Sequence, residues 1–317
     1  MNTLAMVFPG QGSQRVGMGR DLLEERPDLL DTYYRTADET LGFELSRLCW
    51  EGPADTLADT AFTQPAVFLT SIVTLDVLRG RGIEPAMVAG HSLGEYAALV
   101  CAGVLEWTEA LRLVRLRGRL MAAVNAEQPG AMAAVIGLGP AEVDRLCAAA
   151  TAATGQIVEV ANENEPRQTV ISGRTAAVAA AAEAALAAGA LKVVPLRVGA
   201  PFHCSLMRDI EEEFGAALAA VDFHAPRTPV VSTVTGRPLA DAAEVSLALR
   251  RQLTGRVVWT SAVTHMAEAG IDRFVEVGPG KVLAGLCRRI APQTVSHTTH
   301  DVRQLRRTAD EFAAPVR

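Results

Sequence analysis

Ser92 lies at the centre of Gly90-His91-Ser92-Leu93-Gly94, with a short apolar run, Met87-Val88-Ala89, before it. Glu95-Tyr96-Ala97-Ala98-Leu99 continues after it as a helical run. A sharp strand-to-helix turn crowds the backbone around its central residue, so glycines flank it. Such a turn lifts the serine Oγ clear of a sheet and sets it at a helix N-terminus, where free amides and the helix dipole favour developing negative charge. The chemistry open to this arrangement is nucleophilic attack on a carbonyl and passage through an acyl-serine. The plainer alternative is a β–α turn whose serine only caps the helix.

A serine hydroxyl needs a base, usually histidine, and the chain has six. His91 neighbours the serine, but adjacent residues on such a turn point apart. His224, His265, His297 and His300 sit in segments with no other chemical signal. His203 follows the extended run Lys192–Val198 and then Gly199-Ala200-Pro201-Phe202, so it stands where a strand has just left a sheet. That is a usual address for catalytic groups in open α/β sheets. A structural histidine fits the same address.

A third chemical signal is an arginine where a core residue belongs. Thr108 is expected to cap a helix in which Ala110, Val114, Met121 and Val124 form an apolar stripe, and Arg117 falls on that stripe. Arg112, Arg115 and Arg119 fall on other faces. A buried guanidinium without a partner costs several kcal/mol, so something anionic should meet it. A structural Asp or Glu would serve, and so would a substrate carboxylate held by two parallel N–H···O bonds.

The elements that must carry these groups read as an α/β fold. Strand signals recur at Leu4–Phe8, Ala86–Ala89, Ala131–Ile136, Thr169–Ile171, Lys192–Leu196, Pro229–Ser232 and Arg273–Val277. Helical stretches lie between them at Pro65–Arg79, Tyr96–Val104, Thr108–Val124, Thr175–Ala188, Ser205–Ala220 and Trp259–Ala269. This alternation argues for a largely parallel sheet, and with the elbow the core is expected to be α/β-hydrolase-like. From about Gln128 to Arg197 the order is strand, helix (Pro140–Ala150), strand, strand, helix, strand, as in a ferredoxin-like unit. The expected division is a large subdomain over 1–127 and 198–317, ending in C-terminal helices, with the small unit inserted at 128–197.

Composition narrows the class. The chain has 317 residues, 49% of them hydrophobic and 21% charged, as in ordinary globular enzymes. A net charge of −6 speaks against nucleic-acid binding. No apolar run reaches a membrane-spanning length and the N-terminus lacks a signal peptide, so a cytoplasmic protein without a membrane partner is expected. The five cysteines are scattered and form no C-x-x-C pair, which argues against a metal site or disulfide framework.

Taken together, these residues resemble the malonyl-CoA:acyl carrier protein transacylases and the acyltransferase domains of polyketide synthases, from about residue 4 to 290. The motifs are ordered: Phe8-Pro9-Gly10-Gln11-Gly12-Ser13-Gln14, Gly90 through Tyr96, Leu116 through Met121, Gly130-Ala131-Met132, Asn162 through Gly173, Pro201-Phe202-His203, and Glu276-Val277-Gly278-Pro279-Gly280. The resemblance implies Ser92 as nucleophile and His203 as its base, in a dyad oriented by a carbonyl at Gln252. It implies Gln11 and Leu93 as sources of oxyanion-binding amides, and Arg117 as the partner of a malonyl-type carboxylate. His91, Met121, Asn162 and Phe202 are implied as further substrate-binding residues. Phe202 just before the histidine and Leu93 after the serine resemble malonyl-selective rather than methylmalonyl-selective members.

The implied reaction is a ping-pong transfer of malonyl from coenzyme A to the phosphopantetheine thiol of an acyl carrier protein, with no bound cofactor or metal. The carrier would be an acidic, transient partner, met by Arg250, Arg251 and Arg256 or by Arg288 and Arg289; a monomer is expected. Glu163-Asn164-Glu165-Pro166-Arg167 is read as a loop more charged than the family pattern. Leu253-Thr254-Gly255-Arg256-Val257 stands where the fatty-acid enzymes carry an Asn-Pro pair. A discrete acyltransferase of a polyketide assembly line therefore fits as well as one of fatty acid synthesis. The competing reading is a serine hydrolase or thioesterase using the same Ser92–His203 dyad, although no acidic third member stands out.

Overall fold

Leu4-Ala5-Met6-Val7-Phe8 is apolar at every position, the pattern of a strand covered on both faces. In the computed structural model, which describes residues 3–196, 198 and 200–313, all five of these residues are buried as β1 (Leu4–Phe8). Leu4, Met6 and Phe8 enter one hydrophobic core, and Ala5 and Val7 a second core on the opposite face. Arg197 and Gly199, and with them the expected boundary at 197, lie outside the described residues.

The other strands are β2 (Met87–Gly90), β3 (Gly130–Ile136), β4 (Val158–Glu165), β5 (Gln168–Arg174), β6 (Lys192–Pro195), β7 (Val230–Val231), β8 (Arg273–Glu276) and β9 (Val295–Thr298). They form two sheets. The first, ordered β7-β2-β1-β8-β9, is parallel throughout. The second, β4-β5-β3-β6, is antiparallel, with the helices Pro140–Thr154 and Thr175–Ala187 inserted to give the ferredoxin-like order. A third core lies beneath it, built from Val135, Val143, Cys147, Ile171 and Ala181. An α/β core with an inserted ferredoxin-like unit is the fold expected from the sequence.

Several local expectations are corrected. The helix expected at Pro65–Arg79 runs from Thr60 to Gly80, with Pro65 inside it and Asp59 capping the Ala61 amide. Proline removes the N–H that would bond the Ala61 carbonyl; the Arg115 guanidinium donates to that oxygen instead. By length and composition this helix could cross a membrane, yet 83% of its most apolar stretch is buried inside the protein. The helix carrying Arg117 begins at Trp107 with Glu106 at its cap position, so Thr108 is inside the helix rather than its cap. The segment Ser205–Ala220 divides into a 3₁₀ turn to Ile210 and an α-helix from Glu211. Strand β9 is additional to the strands expected from the sequence.

One buried acid ties the parallel sheet to the rim of the site. Glu276, at the end of β8, accepts the Ala284 amide at 2.8 Å and so caps the helix Val282–Ile290; its other oxygen has no donor among the described residues. Burial pushes its carboxyl up to about 7. The folded value lies above the unfolded one, so this stabilisation is complete at low pH and is lost as pH rises through about 7. Glu276→Gln keeps the acceptor and cannot ionise. Its stability relative to the parent should therefore rise by about 2 kcal/mol between roughly pH 5 and 8, read from urea unfolding curves. A pH-independent difference would show that the carboxyl does not titrate there.

Candidate active site

The elbow is sterically specified. A Cβ on Gly90 would stand 2.0 Å from the Gly94 carbonyl carbon, and one on Gly94 would stand 2.0 Å from the Phe8 oxygen. Only glycine lets β2 turn back this tightly beside β1. Ser92 sits at the apex with φ 53°, and the helix Gly94–Cys101 starts two residues later. His203 has φ 57°, and these two are the only non-glycine residues at positive φ among the described residues. Such conformations persist only where the surroundings enforce them.

The two strained residues meet. His203 Nε2 lies 2.7 Å from Ser92 Oγ, and His203 Nδ1 lies 2.9 Å from the Gln252 backbone carbonyl. A carbonyl can only accept, so Nδ1 carries the proton and Nε2 turns its lone pair to the serine hydroxyl. Burial first, and then the Arg117 charge, push the imidazole down to about 3. His203 is therefore neutral at physiological pH.

Arg117 is buried on its helix stripe, as its spacing requires. Nη1 donates to Gln64 Oε1 at 2.8 Å, while Nη2 donates to Ser92 Oγ at 3.0 Å and to Gln252 Oε1 at 2.9 Å. Nε has no acceptor among the described residues, and the guanidinium carbon lies 5.9 Å from the Tyr96 ring centre. No Asp or Glu pairs with it among the described residues, so every oxygen it touches is neutral. Burial lowers its pKa. The structural carboxylate partner weighed above is thus absent.

Gln252 ties these groups together from a fully buried position. Besides receiving Arg117, its side-chain Nε2 donates to the Ser92 backbone oxygen at 3.1 Å and to Glu95 Oε2 at 2.8 Å. Glu95 also accepts from Thr233 Oγ1 at 3.0 Å, and burial raises its pKa. Gln64 and Glu95 take part without having been singled out from the sequence. The available signals were a glutamine inside a long apolar helix and an acid opening an otherwise apolar one.

A cavity of about 280 Å³ opens on Ser92 and His203. Gln11, His91, Asn162 and Phe202 line it, together with an apolar lip that includes Met132, Leu196, Leu283 and Leu286. The backbone amides of Gln11 and Leu93 donate to no other group of the protein among the described residues. The Gln11 side chain donates to Thr60 Oγ1 at 3.1 Å. His91 turns away from the dyad, as expected, with Nε2 2.8 Å from Asn164 Oδ1 and its ring beside Trp259. Met121 does not reach the cavity; its sulfur lies behind, 3.5 Å from Gln64 Nε2. Among the expected basic docking residues, Arg256 is turned inward to Asp144 and Glu163, and Arg289 pairs with Glu165.

Comparison with known proteins identifies the family. The model of the acyl transferase domain matches residues 5–309. The malonyl CoA-acyl carrier protein transacylase of Escherichia coli strain K12 is 45% identical over 291 residues, 92% of this chain and 93% of that one. The polyketide biosynthesis protein ThaF of Burkholderia thailandensis is 40% identical over 290 residues, 91% of this chain but 24% of its own length. Among solved structures, a malonyl-transacylase in complex with a type II polyketide-synthase acyl-carrier protein superposes with TM-score 0.94 at 40% identity, covering 98% of this chain and 100% of that one. The malonyl-CoA:acyl carrier protein transacylase of Xanthomonas oryzae pv. oryzae gives TM-score 0.94 at 42% identity, with 98% of each chain covered. By the extent and level of these matches, the chain belongs to the acyl transferase domain family.

Proposed function

We propose that this chain is a malonyl-CoA:acyl carrier protein S-malonyltransferase of fatty acid or polyketide biosynthesis. The observation that carries the reading is the convergence of a neutral imidazole at 2.7 Å and a guanidinium without an acidic partner at 3.0 Å on the one Ser92 hydroxyl. A base beside the nucleophile suits acyl transfer, and a buried cation beside the future ester suits an acyl group that ends in a carboxylate.

In the proposed cycle His203 Nε2 takes the Ser92 proton as Oγ attacks the malonyl-CoA carbonyl, and the free amides of Gln11 and Leu93 receive the oxyanion. The imidazolium returns the proton to the departing coenzyme A thiolate. Malonyl remains as an ester on Ser92 with its carboxylate on Arg117. The carrier's phosphopantetheine thiol then gives its proton to His203 and attacks the same carbonyl, and Ser92 leaves with that proton. The apolar lip disfavours water, whose attack would make the enzyme a thioesterase. Phe202 and Asn162 shape the pocket, His91 lines it, and Met121 supports Arg117 through Gln64. The division into 1–127, 128–197 and 198–317, a cytoplasmic site and a monomeric state belong to the same reading. Arg250 and Arg251, both exposed, are the basic residues proposed to meet the acidic carrier.

Three substitutions test this. Ser92→Ala should form no acyl-enzyme when intact protein mass is measured after mixing with malonyl-CoA; a malonyl adduct on that variant would place the nucleophile elsewhere. Arg117→Ala should lose malonyl transfer by about 10² or more in kcat/KM, as expected for a charge-assisted bidentate contact, and acetyl transfer far less. Equal losses would remove the carboxylate clamp. Phe202→Ser makes room for one methyl, worth about 1–3 kcal/mol, and should raise methylmalonyl relative to malonyl transfer by roughly tenfold or more. An unchanged ratio would sink the steric argument.

A further inference from the structure

The two stretches that depart from the family pattern, Leu253–Val257 and Glu163–Arg167, meet in the fold. The second is not a loop: Glu163, Asn164 and Glu165 are the end of β4, and only Pro166-Arg167 form the turn into β5. Their polarity is used. Glu163 receives Arg256, Asn164 receives His91, and Glu165 receives Arg289, so each side chain reaches across to the part of the chain that carries the parallel sheet.

Arg256 makes the densest of these contacts. Its Nη1 donates to Glu163 Oε1 at 2.7 Å and Asp144 Oδ2 at 3.0 Å, Nη2 to Asp144 Oδ1 at 2.5 Å, and Nε to the Val160 carbonyl at 3.3 Å. All four acceptors belong to β4 or to the helix Pro140–Thr154. The backbone next door is pinned to the same strand: Val257 N–H donates to Ala161 O and Glu163 N–H to Val257 O, both at 2.8 Å. Four residues before Arg256 stands Gln252, whose carbonyl holds His203 Nδ1.

We infer that Arg256 is a positioning residue for acyl transfer: by gripping Glu163 and Asp144 it fixes residues 252–257 against β4, and thereby fixes the carbonyl that orients His203. A planar guanidinium fork on two carboxylates restrains direction as well as distance. It is also only half-buried, so its contribution is geometric rather than a large store of stability. The inference rests on His203 being the base of the proposed transfer.

Loosening this grip admits water to the imidazole. The charges of Arg117 and, from further off, of His91 disfavour the protonated form of His203, and the Gln252 and Gly255 backbones favour it. Burial is the largest of these influences. Relieving burial moves its pKa upward, and because the base works only when neutral, the acid limb of the pH–rate profile moves up with it.

The experiment compares pH profiles of kcat/KM for malonyl transfer in Arg256→Gln, Glu163→Gln and Glu165→Gln. Glu165→Gln breaks the neighbouring pair with Arg289 without touching residues 252–257, so it serves as the control. Arg256→Gln should raise the acid limb by about half a pH unit or more and lower the plateau of kcat about tenfold, the scale of a sub-ångström misplacement, with Glu163→Gln shifting in the same direction. Glu165→Gln should keep the parent limb. An unshifted limb in Arg256→Gln overturns the inference, as does an equal shift in Glu165→Gln. Should Arg256→Gln fail to fold, Glu163→Gln alone decides by the same limb. If the unsubstituted enzyme forms no malonyl-Ser92, it is the proposed function that fails; if it does and the limbs coincide, only the role of Arg256 falls.

Discussion

A single buried amide side chain and its own backbone carbonyl hold the site together. Gln252 offers its side-chain oxygen to Arg117, its side-chain nitrogen to the Ser92 carbonyl and to Glu95, and its main-chain oxygen to His203. The proposed nucleophile, base and carboxylate clamp are thereby referred to one residue. An amide suits this position because it both donates and accepts while remaining uncharged, whereas a carboxylate there would neutralise Arg117. The two residues at positive φ, on different segments, keep their conformations against the same fixed point.

The surrounding architecture supplies segments to that point from distant parts of the chain. The elbow comes from the middle of the parallel sheet, where β2 runs beside β1. Arg117 arrives on a long helix packed against the helix Thr60–Gly80, whose proline leaves a carbonyl for Arg115 while its neighbour Gln64 reaches Arg117. The antiparallel sheet closes the cavity from the other side with Met132, Asn162 and Val170. Three separate hydrophobic cores make these parts stiff enough to hold hydrogen bonds of 2.7–3.1 Å across them.

What was legible in the sequence follows from how local each cause is. The elbow was readable because its strand, glycines and helix are contiguous, and Arg117 because a helical stripe reports its own burial. The inserted unit was visible as an order of elements. The pairing of His203 with Ser92 was visible only as an address, since 111 residues separate them. Gln252 entered by resemblance alone: its partners lie between 49 and 160 residues away, and nothing near it reports them. Glu163-Asn164-Glu165 read as a loop because three polar residues in a row suit solvent. In the fold that polarity is matched by His91, Arg256 and Arg289, which no local pattern displays. The start of the helix at Thr60 was missed for a similar reason, since Pro65 reads as a beginning unless another side chain satisfies the carbonyl it abandons.

The shared contact at Ser92 Oγ has an electrical consequence. A permanent cation and a titratable base lie on the same hydroxyl, and the cation makes protonation of the base harder. An acyl group bearing a carboxylate would cancel that cation as it docks and make the imidazole a stronger base at the moment a proton must move. An acyl group without one would leave the imidazole suppressed. Discrimination would then be written into the rate of proton transfer as well as into affinity: the site would idle until an acyl group with a carboxylate completed the charge balance.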